Sequence, residues 1–276
     1  MISAEKVTEL EGVARDLRGD ILRMLTKACS GHTGGSLSAV EILTALYFHT
    51  LRHDPKNPSW PDRDRFVLSK GHGAPVLYAA LARCGYFDRA VLTTLRELGS
   101  ILQGHPDMKS TPGVDISTGS LGQGLSLANG MALALRLDNR PSRVYAVLGD
   151  GEIQEGQVWE AAMAAAHYRL DNLCAIIDNN GLQIDGPVEK IMSLGSIADK
   201  WASFGWKVFC VDGHSFPDLI GALDQTKSVK EQPSVIVART LKGKGCSFCE
   251  GKVEYHGVAP SAEELECALK ELGCEC

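Results

Sequence analysis

The chain has 276 residues, 44% of them hydrophobic and 22% charged, with a formal net charge of −6. That is long and apolar enough for a sizeable core, and the acidic balance excludes nucleic acid or an anionic membrane as the main partner. No apolar run approaches the roughly 18 residues of a membrane span, and the early acids Glu5 and Glu9, with no apolar signal core, predict a cytoplasmic protein.

Val13, Leu17, Ile21 and Leu25 recur at every fourth position and predict a helix over 5–29. Ser30-Gly31-His32-Thr33-Gly34-Gly35 is expected to break it, with a second helix from 36 or 38 to about 51. A polar loop through 54–61 leads to a short buried strand at 65–69. That strand ends in Lys70-Gly71-His72-Gly73, ahead of a helix over 74–84. The Gly-, Pro- and Ser-rich stretch at 100–120 has no period and reads as a long functional loop. A helix over 123–137, an apolar strand at 144–148 and a helix over 157–168 follow. Strands at 173–177, 207–211 and 234–238, with intervening helices, precede a last helix over 262–272. The alternation predicts an α/β fold: a mostly parallel central sheet with helices on both faces, in one domain spanning 1–276.

Nine cysteines are present. Cys29, Cys84, Cys174 and Cys210 sit in apolar runs and are expected in the core, whereas Cys267 falls in a helix with no evident partner. Cys246-x-x-Cys249 and Cys274-x-Cys276 could together supply four thiolates to zinc. The unusual tail spacing favours reduced surface thiols instead.

The strongest local signal is the strand at 144–148 running into Gly149-Asp150-Gly151. The next strand, about thirty residues on, runs into Asp178-Asn179-Asn180-Gly181-Leu182. In a parallel sheet both strands end at the carboxyl edge, where ligands bind. Asp150 offers an anionic oxygen and Asn180 an amide oxygen, donors suited to Mg²⁺ or Ca²⁺. Gly149 and Gly151 let the backbone approach a phosphate. These features describe a metal-diphosphate site. Of eight histidines, His32, His72, His105, His214 and His256 lie beside glycine in loops. A group of neutral imidazoles suits binding of hydroxyls and proton movement near neutral pH. His49, His53 and His167 read as surface or satisfied core residues, and His214 as a turn residue.

Gly-Asp-Gly followed at this distance by Asn-Asn resembles the thiamine-diphosphate fingerprint. Ser-Gly-His32, Ser-Lys-Gly-His72, Gly-His105-Pro and Tyr-His256-Gly resemble the four histidine motifs of the transketolase family, in its order and rough spacing. The resemblance covers residues from about 10 to 265. It implies that Asp150, Asn180 and the Leu182 carbonyl hold the metal and that Gly151 contacts the diphosphate, with Gly149 beside it. Thr118-Gly119-Ser120-Leu121-Gly122-Gln123-Gly124 is similar to the family's loop on the thiamine rings. Thr240-Leu241-Lys242-Gly243-Lys244-Gly245 is similar to its later basic loop, which makes Lys242 a cofactor contact. Glu155 and Glu160 match acids near the family's dimer axis, and Glu155 also counts among the cofactor-side residues. His32 and His256 are implied to meet the sugar hydroxyls or carbonyl, and His72 and His105 to sit near cofactor and donor. His256 also reaches toward the diphosphate.

The same resemblance marks what this chain lacks. Thiamine diphosphate reacts through a carbanion that the cofactor itself supplies. The glutamate that protonates its aminopyrimidine, and most arginines for the sugar phosphate, belong in this family to a pyrimidine-binding domain. No second Gly-rich strand-helix series follows in this sequence. The expectation is therefore the N-terminal subunit of a split transketolase, with the pyrimidine and C-terminal domains on a partner chain in a two-plus-two assembly. A truncated chain is the competing explanation. The predicted reaction is reversible transfer of a two-carbon ketol unit from a ketose phosphate to an aldose phosphate. An α subunit of a 2-oxo-acid dehydrogenase first component would share the Gly-Asp-Gly and Asn signals but not all four histidine motifs. A deoxyxylulose-phosphate synthase fits the Glu-Ile-Gln-Glu-Gly stretch at 152–156 less well. A non-catalytic subunit that keeps the fold is the remaining alternative.

Overall fold

A computed structural model describes residues 2–274. Helix α1 (Ala4–Ala28) starts where the Ser3 hydroxyl accepts the Lys6 amide, satisfying one of the otherwise unpaired N–H groups of a first turn. Leu17, Ile21 and Leu25 are wholly buried along it, as their spacing predicts, and so is Leu10, while Val13 is partly covered.

The second helical segment begins earlier than expected. Helix α2 (Thr33–Ser38) takes in both glycines and is followed by α3 (Val40–Ala45) and a π turn over Leu46–Thr50. A Cβ on Gly34 would lie 2.9 Å from Lys242 Cγ and 3.1 Å from the Tyr255 carbonyl oxygen. The glycines are there for close packing, which outweighs a helix-propensity cost of about 1 kcal/mol each.

In chain order the strands are β1 (Arg65–Leu68), β2 (Val144–Gly149), β3 (Leu173–Asn179), a short antiparallel hairpin β4 (Leu182–Gln183) and β5 (Gly186–Pro187), β6 (Lys207–Asp212) and β7 (Ser234–Arg239). The main sheet is wholly parallel, in the order β1-β2-β3-β7-β6. The remaining helices are α4 (Ala74–Cys84), α5 (Gly124–Leu137), α6 (Gly156–His167), α7 (Val188–Met192), α8 (Ile197–Ser203), α9 (Phe216–Ser228) and α10 (Ala262–Leu272). Strand residues alternate between two cores. Tyr145, Val147, Cys174, Ile176 and Ile236 pack with α1, α3, α4 and α9. Val144, Ala146, Leu148, Ala175, Ile177 and Val235 pack with α5, α6 and α8. Gly149 stands opposite Asp178 in the ladder, so the two motif-bearing strands end side by side at the carboxyl edge.

Several cysteines depart from expectation. Cys174 is buried and Cys84 half-buried, but Cys29 and Cys210 are exposed: Cys29 terminates α1 in a left-handed conformation, and Cys210 lies on the edge strand β6. Cys246 and Cys249, expected at the surface, are fully buried in the turns after β7, where they pack in the same core as α1. Cys276 lies outside the described residues. No described helix is long and apolar enough to cross a membrane.

Candidate active site

The two strand ends and the loops around them enclose a cavity of about 220 Å³ lined by Asp150, Gly151, Asn180, Leu182, Lys242 and His256, with Gly149, Leu121, His72 and Glu155 also on its walls. Asp150 is almost fully buried. Its Oδ1 accepts the Gly151 amide at 2.8 Å and its Oδ2 the Gly181 amide at 2.5 Å. Burial, followed by the nearby Asp178 charge, pushes its carboxyl up to about 6, so a bound cation would strongly favour the ionised form. Asn180 Oδ1 accepts the Leu182 amide at 3.1 Å. The Leu182 carbonyl accepts from the Lys242 ammonium at 3.3 Å, and that ammonium also meets His256 Nδ1 at 2.7 Å. A positive charge thus already faces the carbonyl that the resemblance assigns to a metal. The hard-oxygen set of Asp150, Asn180 and Leu182 suits a divalent cation, and with Gly151 and Lys242 at hand it suits a diphosphate.

Four histidines from four loops converge beside this cavity. Ring centroids lie 5.2 Å apart for His32 and His72, 5.4 Å for His32 and His256, and 5.3 Å for His72 and His256, with His105 at 6.4 Å from His32. Burial, then Arg96, lowers His32 to about 4. Burial, then Lys242, lowers His256 to about 4. Burial, then Lys70, holds His72 well below the usual imidazole range, and burial, then Arg96, lowers His105. All four are therefore neutral imidazoles near pH 7, able both to donate and to accept. His32 Nδ1 is buried without a partner. Gly119 packs on His105, where a Cβ would come within 3.0 Å of the ring. Ser120 and Leu121 are exposed beside it, leaving an open apolar side chain on the wall. Glu155 and Glu160 are exposed, at the start of α6 and within it.

The low histidine values have a consequence for stability. The unfolded chain takes up protons at its histidines near 6.5 before the folded chain does, so each depressed imidazole makes the fold less stable as pH falls from about 6.5 toward 4. Asp150 acts in the opposite sense, since its raised carboxyl binds its proton first in the folded state. Urea denaturation from pH 7 down to pH 4 should show His32→Asn losing less stability than the parent chain. Parallel curves would contradict the low value of His32.

Lys70 and Glu152 on the cavity wall belong to a charged network that the residue patterns did not reveal. Lys70, after β1, is fully buried. It donates to the Gly35 carbonyl at 2.7 Å and forms an ion pair with Asp178 of β3. Asp178 also accepts from Ser38 at 2.6 Å and from Thr240. Burial raises its carboxyl, but Lys70 and these hydrogen bonds more than reverse that and leave it lowered. Glu152 is likewise buried. It accepts from Ser69, from the Gly122 amide at 3.0 Å and from the Gly149 amide at 3.0 Å, joining β1, β2 and the loop before α5. Two clues in the sequence were Lys70, two residues past β1, and Asp178, inside the apolar run of β3, where an unpaired charge is not tolerated.

His214 sits in the turn after β6, as expected, and there it also makes contacts that its turn position did not announce. Its Nε2 accepts the Leu241 amide at 2.8 Å, so Nδ1 carries the proton and donates to Glu41 at 2.9 Å. Glu41 is held in turn by Arg18, whose Nε donates to the Lys244 carbonyl at 2.8 Å. This chain of contacts anchors the loop that presents Lys242. No sequence motif announced it, because its members are 23 to 226 residues apart.

Comparison with known proteins gives the family and the fold. The family described as "Transketolase, thiamine diphosphate binding domain" matches residues 12–276. The 6-deoxy-6-sulfo-D-fructose transketolase subunit SqwG of Clostridium sp. (strain MSTE9) is 48% identical over 98% of this chain and 98% of its own length. An apulose-4-phosphate transketolase subunit from Phocaeicola vulgatus is 43% identical over 97% of this chain and 95% of its own. The solved transketolase from Leishmania mexicana superposes with a TM-score of 0.92 at 32% identity, covering 96% of this chain but 41% of that one. The chain therefore spans under half of a full-length transketolase and nearly all of the two subunit-sized relatives.

Proposed function

The chain belongs to the transketolase family of thiamine-diphosphate-binding domains, and on that premise we propose that it is the diphosphate-binding subunit of a two-chain transketolase. With a partner supplying the pyrimidine-binding and C-terminal domains, it transfers a two-carbon ketol unit reversibly from a ketose phosphate to an aldose phosphate, in the cytoplasm. The observation that carries this reading is the convergence of four neutral histidines on one rim of a cavity whose floor offers metal and diphosphate ligands. Donor and acceptor sugars are polyols, and neutral imidazoles can bind several hydroxyls while moving protons between them. An acyl-transfer enzyme has no need of four such groups, which sets the 2-oxo-acid dehydrogenase reading second.

When bound, thiamine diphosphate supplies the nucleophilic carbanion. Asp150, Asn180 and the Leu182 carbonyl would hold Mg²⁺ or Ca²⁺. Gly151, His72, Lys242 and His256 would hold the diphosphate, and Gly119, Ser120 and Leu121 would lie along the rings. Lys242 is lowered to about 8 by burial and by Lys70, so a diphosphate restores its full charge. His32 and His256 would orient the sugar carbonyl and hydroxyls and pass protons to and from them, with His105 at the open side. Glu155 and Glu160, both exposed, would face a second copy of the chain near the dimer axis.

Native mass spectrometry of the chain expressed with its chromosomal neighbour, with thiamine diphosphate and Mg²⁺ present, tests the assembly. Two of each chain with two cofactors is the expected result. A chain that neither pairs nor retains cofactor would end the catalytic reading.

A further inference from the structure

One charged group beside the histidines has no part in the chemistry described so far. Arg96 follows the 3₁₀ segment Arg89–Thr94. It adopts φ 63°, in the left-handed region that favours glycine. Its amide donates to the Leu102 carbonyl at 2.9 Å, and Nη1 donates to the Ser30 hydroxyl at 2.7 Å. Its guanidinium lies so close over Gly104 that a Cβ there would sit 3.2 Å from Cζ, Nε and Nη2. Ser30 is two residues before His32, and Gly104 immediately precedes His105. The cation is thus pinned between the segments that carry two of the site histidines, and it is the largest charge acting on each of them.

Arg96 forms no ion pair with a carboxylate of this chain among the described residues, although arginines nearby in sequence do: Arg83 and Arg89 both bind Asp20. An exposed arginine with no function is usually a loosely held side chain, because ordering it costs rotamer entropy. Here a left-handed backbone, a hydroxyl and a glycine hold one cation in place without neutralising it. Unusual backbone geometry of this kind points from the observed outlier toward a role.

We propose that Arg96 is a specificity-determining residue that binds the terminal oxyanion of a sugar substrate, so that this chain shares with its partner the recognition of substrate charge. This rests on the transketolase reading. With the sugar's reacting end at the histidines over the cofactor cavity, its far end would extend toward the exposed His105 and Arg96. The planar guanidinium fork suits either a phosphate ester or a sulfonate.

The test uses the complex of both chains with thiamine diphosphate and Mg²⁺, comparing the parent with Arg96→Gln and Arg96→Lys. Three hexuloses are supplied, bearing a terminal phosphate, a terminal sulfonate or a neutral hydroxyl. In Arg96→Gln the ratio of KM for the cognate anionic sugar to KM for the neutral one should rise about 10–100-fold, the worth of a charge-assisted hydrogen bond. Arg96→Lys should recover part of that, since it keeps the charge but not the fork. The anion whose ratio moves more identifies the natural source. A KM increase shared equally by the neutral sugar, or no change for either anion, overturns the proposal. Inorganic phosphate and sulfate titrated into the complex, followed by the His105 ring resonances, provide a readout independent of turnover. A saturable shift that is lost in Arg96→Gln supports anion binding, and no shift in the parent overturns it. If the parent turns over none of the sugars, the transketolase reading fails, while the anion titration still decides the role of Arg96.

Discussion

Asp150→Ala abolishes metal-dependent retention of thiamine diphosphate in the assembled complex. The carboxylate is the only anionic donor in the proposed metal set, and the neutral oxygens of Asn180 and Leu182 cannot balance a divalent charge by themselves. Losing a group that merely supports a ligand costs about 10–100-fold in metal affinity, so losing the charged ligand itself should exceed that. A second effect adds to the first. Asp150 also accepts the Gly151 and Gly181 amides, and its removal releases both the phosphate-facing turn and the segment that presents Asn180. Asp150→Asn separates the two contributions, since it keeps an oxygen for one amide but removes the charge. Equilibrium dialysis of the cofactor with and without Mg²⁺ is the measurement. Full retention by Asp150→Ala would refute the metal assignment.

Lys70→Met lowers the stability of the chain by about 3–5 kcal/mol, the usual cost of breaking a buried ion pair from one side. Lys70 and Asp178 are both inaccessible to solvent, so the remaining carboxylate would have only Ser38, Thr240 and the Asn180 amide to stabilise its charge. A drop in thermal midpoint on the order of 10 °C follows for a chain of this size. Adding Asp178→Asn should restore part of the loss, because no uncompensated charge then remains buried. The variant has a second signature. Lys70 is the main charge lowering both His72 and Lys242, so the affinity of the complex for thiamine diphosphate should depend differently on pH. A Lys70→Met chain that melts like the parent would show that the pair contributes nothing to the fold.

The legible part of this protein was local. Apolar runs at 144–148 and 173–177 predicted β2 and β3, and Gly149-Asp150-Gly151 and Asn180 marked their ends. The elements of the sheet were recovered with boundaries off by one or two residues, because chain ends fray and caps depend on neighbours. The start of α2 was misplaced for a different reason. Gly34 and Gly35 look like breakers in isolation but lie in a helix where Lys242 and Tyr255 press against Gly34 and the His72 ring against Gly35. The histidine motifs could be read as motifs, but nothing in their spacing along the chain measured how near the rings come.

Residue chemistry and strand pattern determined the fold class, the ligand-binding edge and the cavity residues Gly149, Asp150, Gly151 and Asn180, since each depends on a few neighbouring positions and on the two-residue repeat of a strand, whereas Leu121, Glu155, Leu182 and Lys242 came from the family resemblance. Only the tertiary structure decided that Lys70 pairs with Asp178, that Glu152 ties β1 and β2 to the loop before α5, that His214 anchors the loop of Lys242, and that Arg96 is held by Ser30 with no counter-ion among the described residues. Those are contacts of charged and polar groups brought together from distant parts of the chain. Their partners are selected by three-dimensional proximity and by the high cost of leaving a buried charge unpaired, and neither is written in local order.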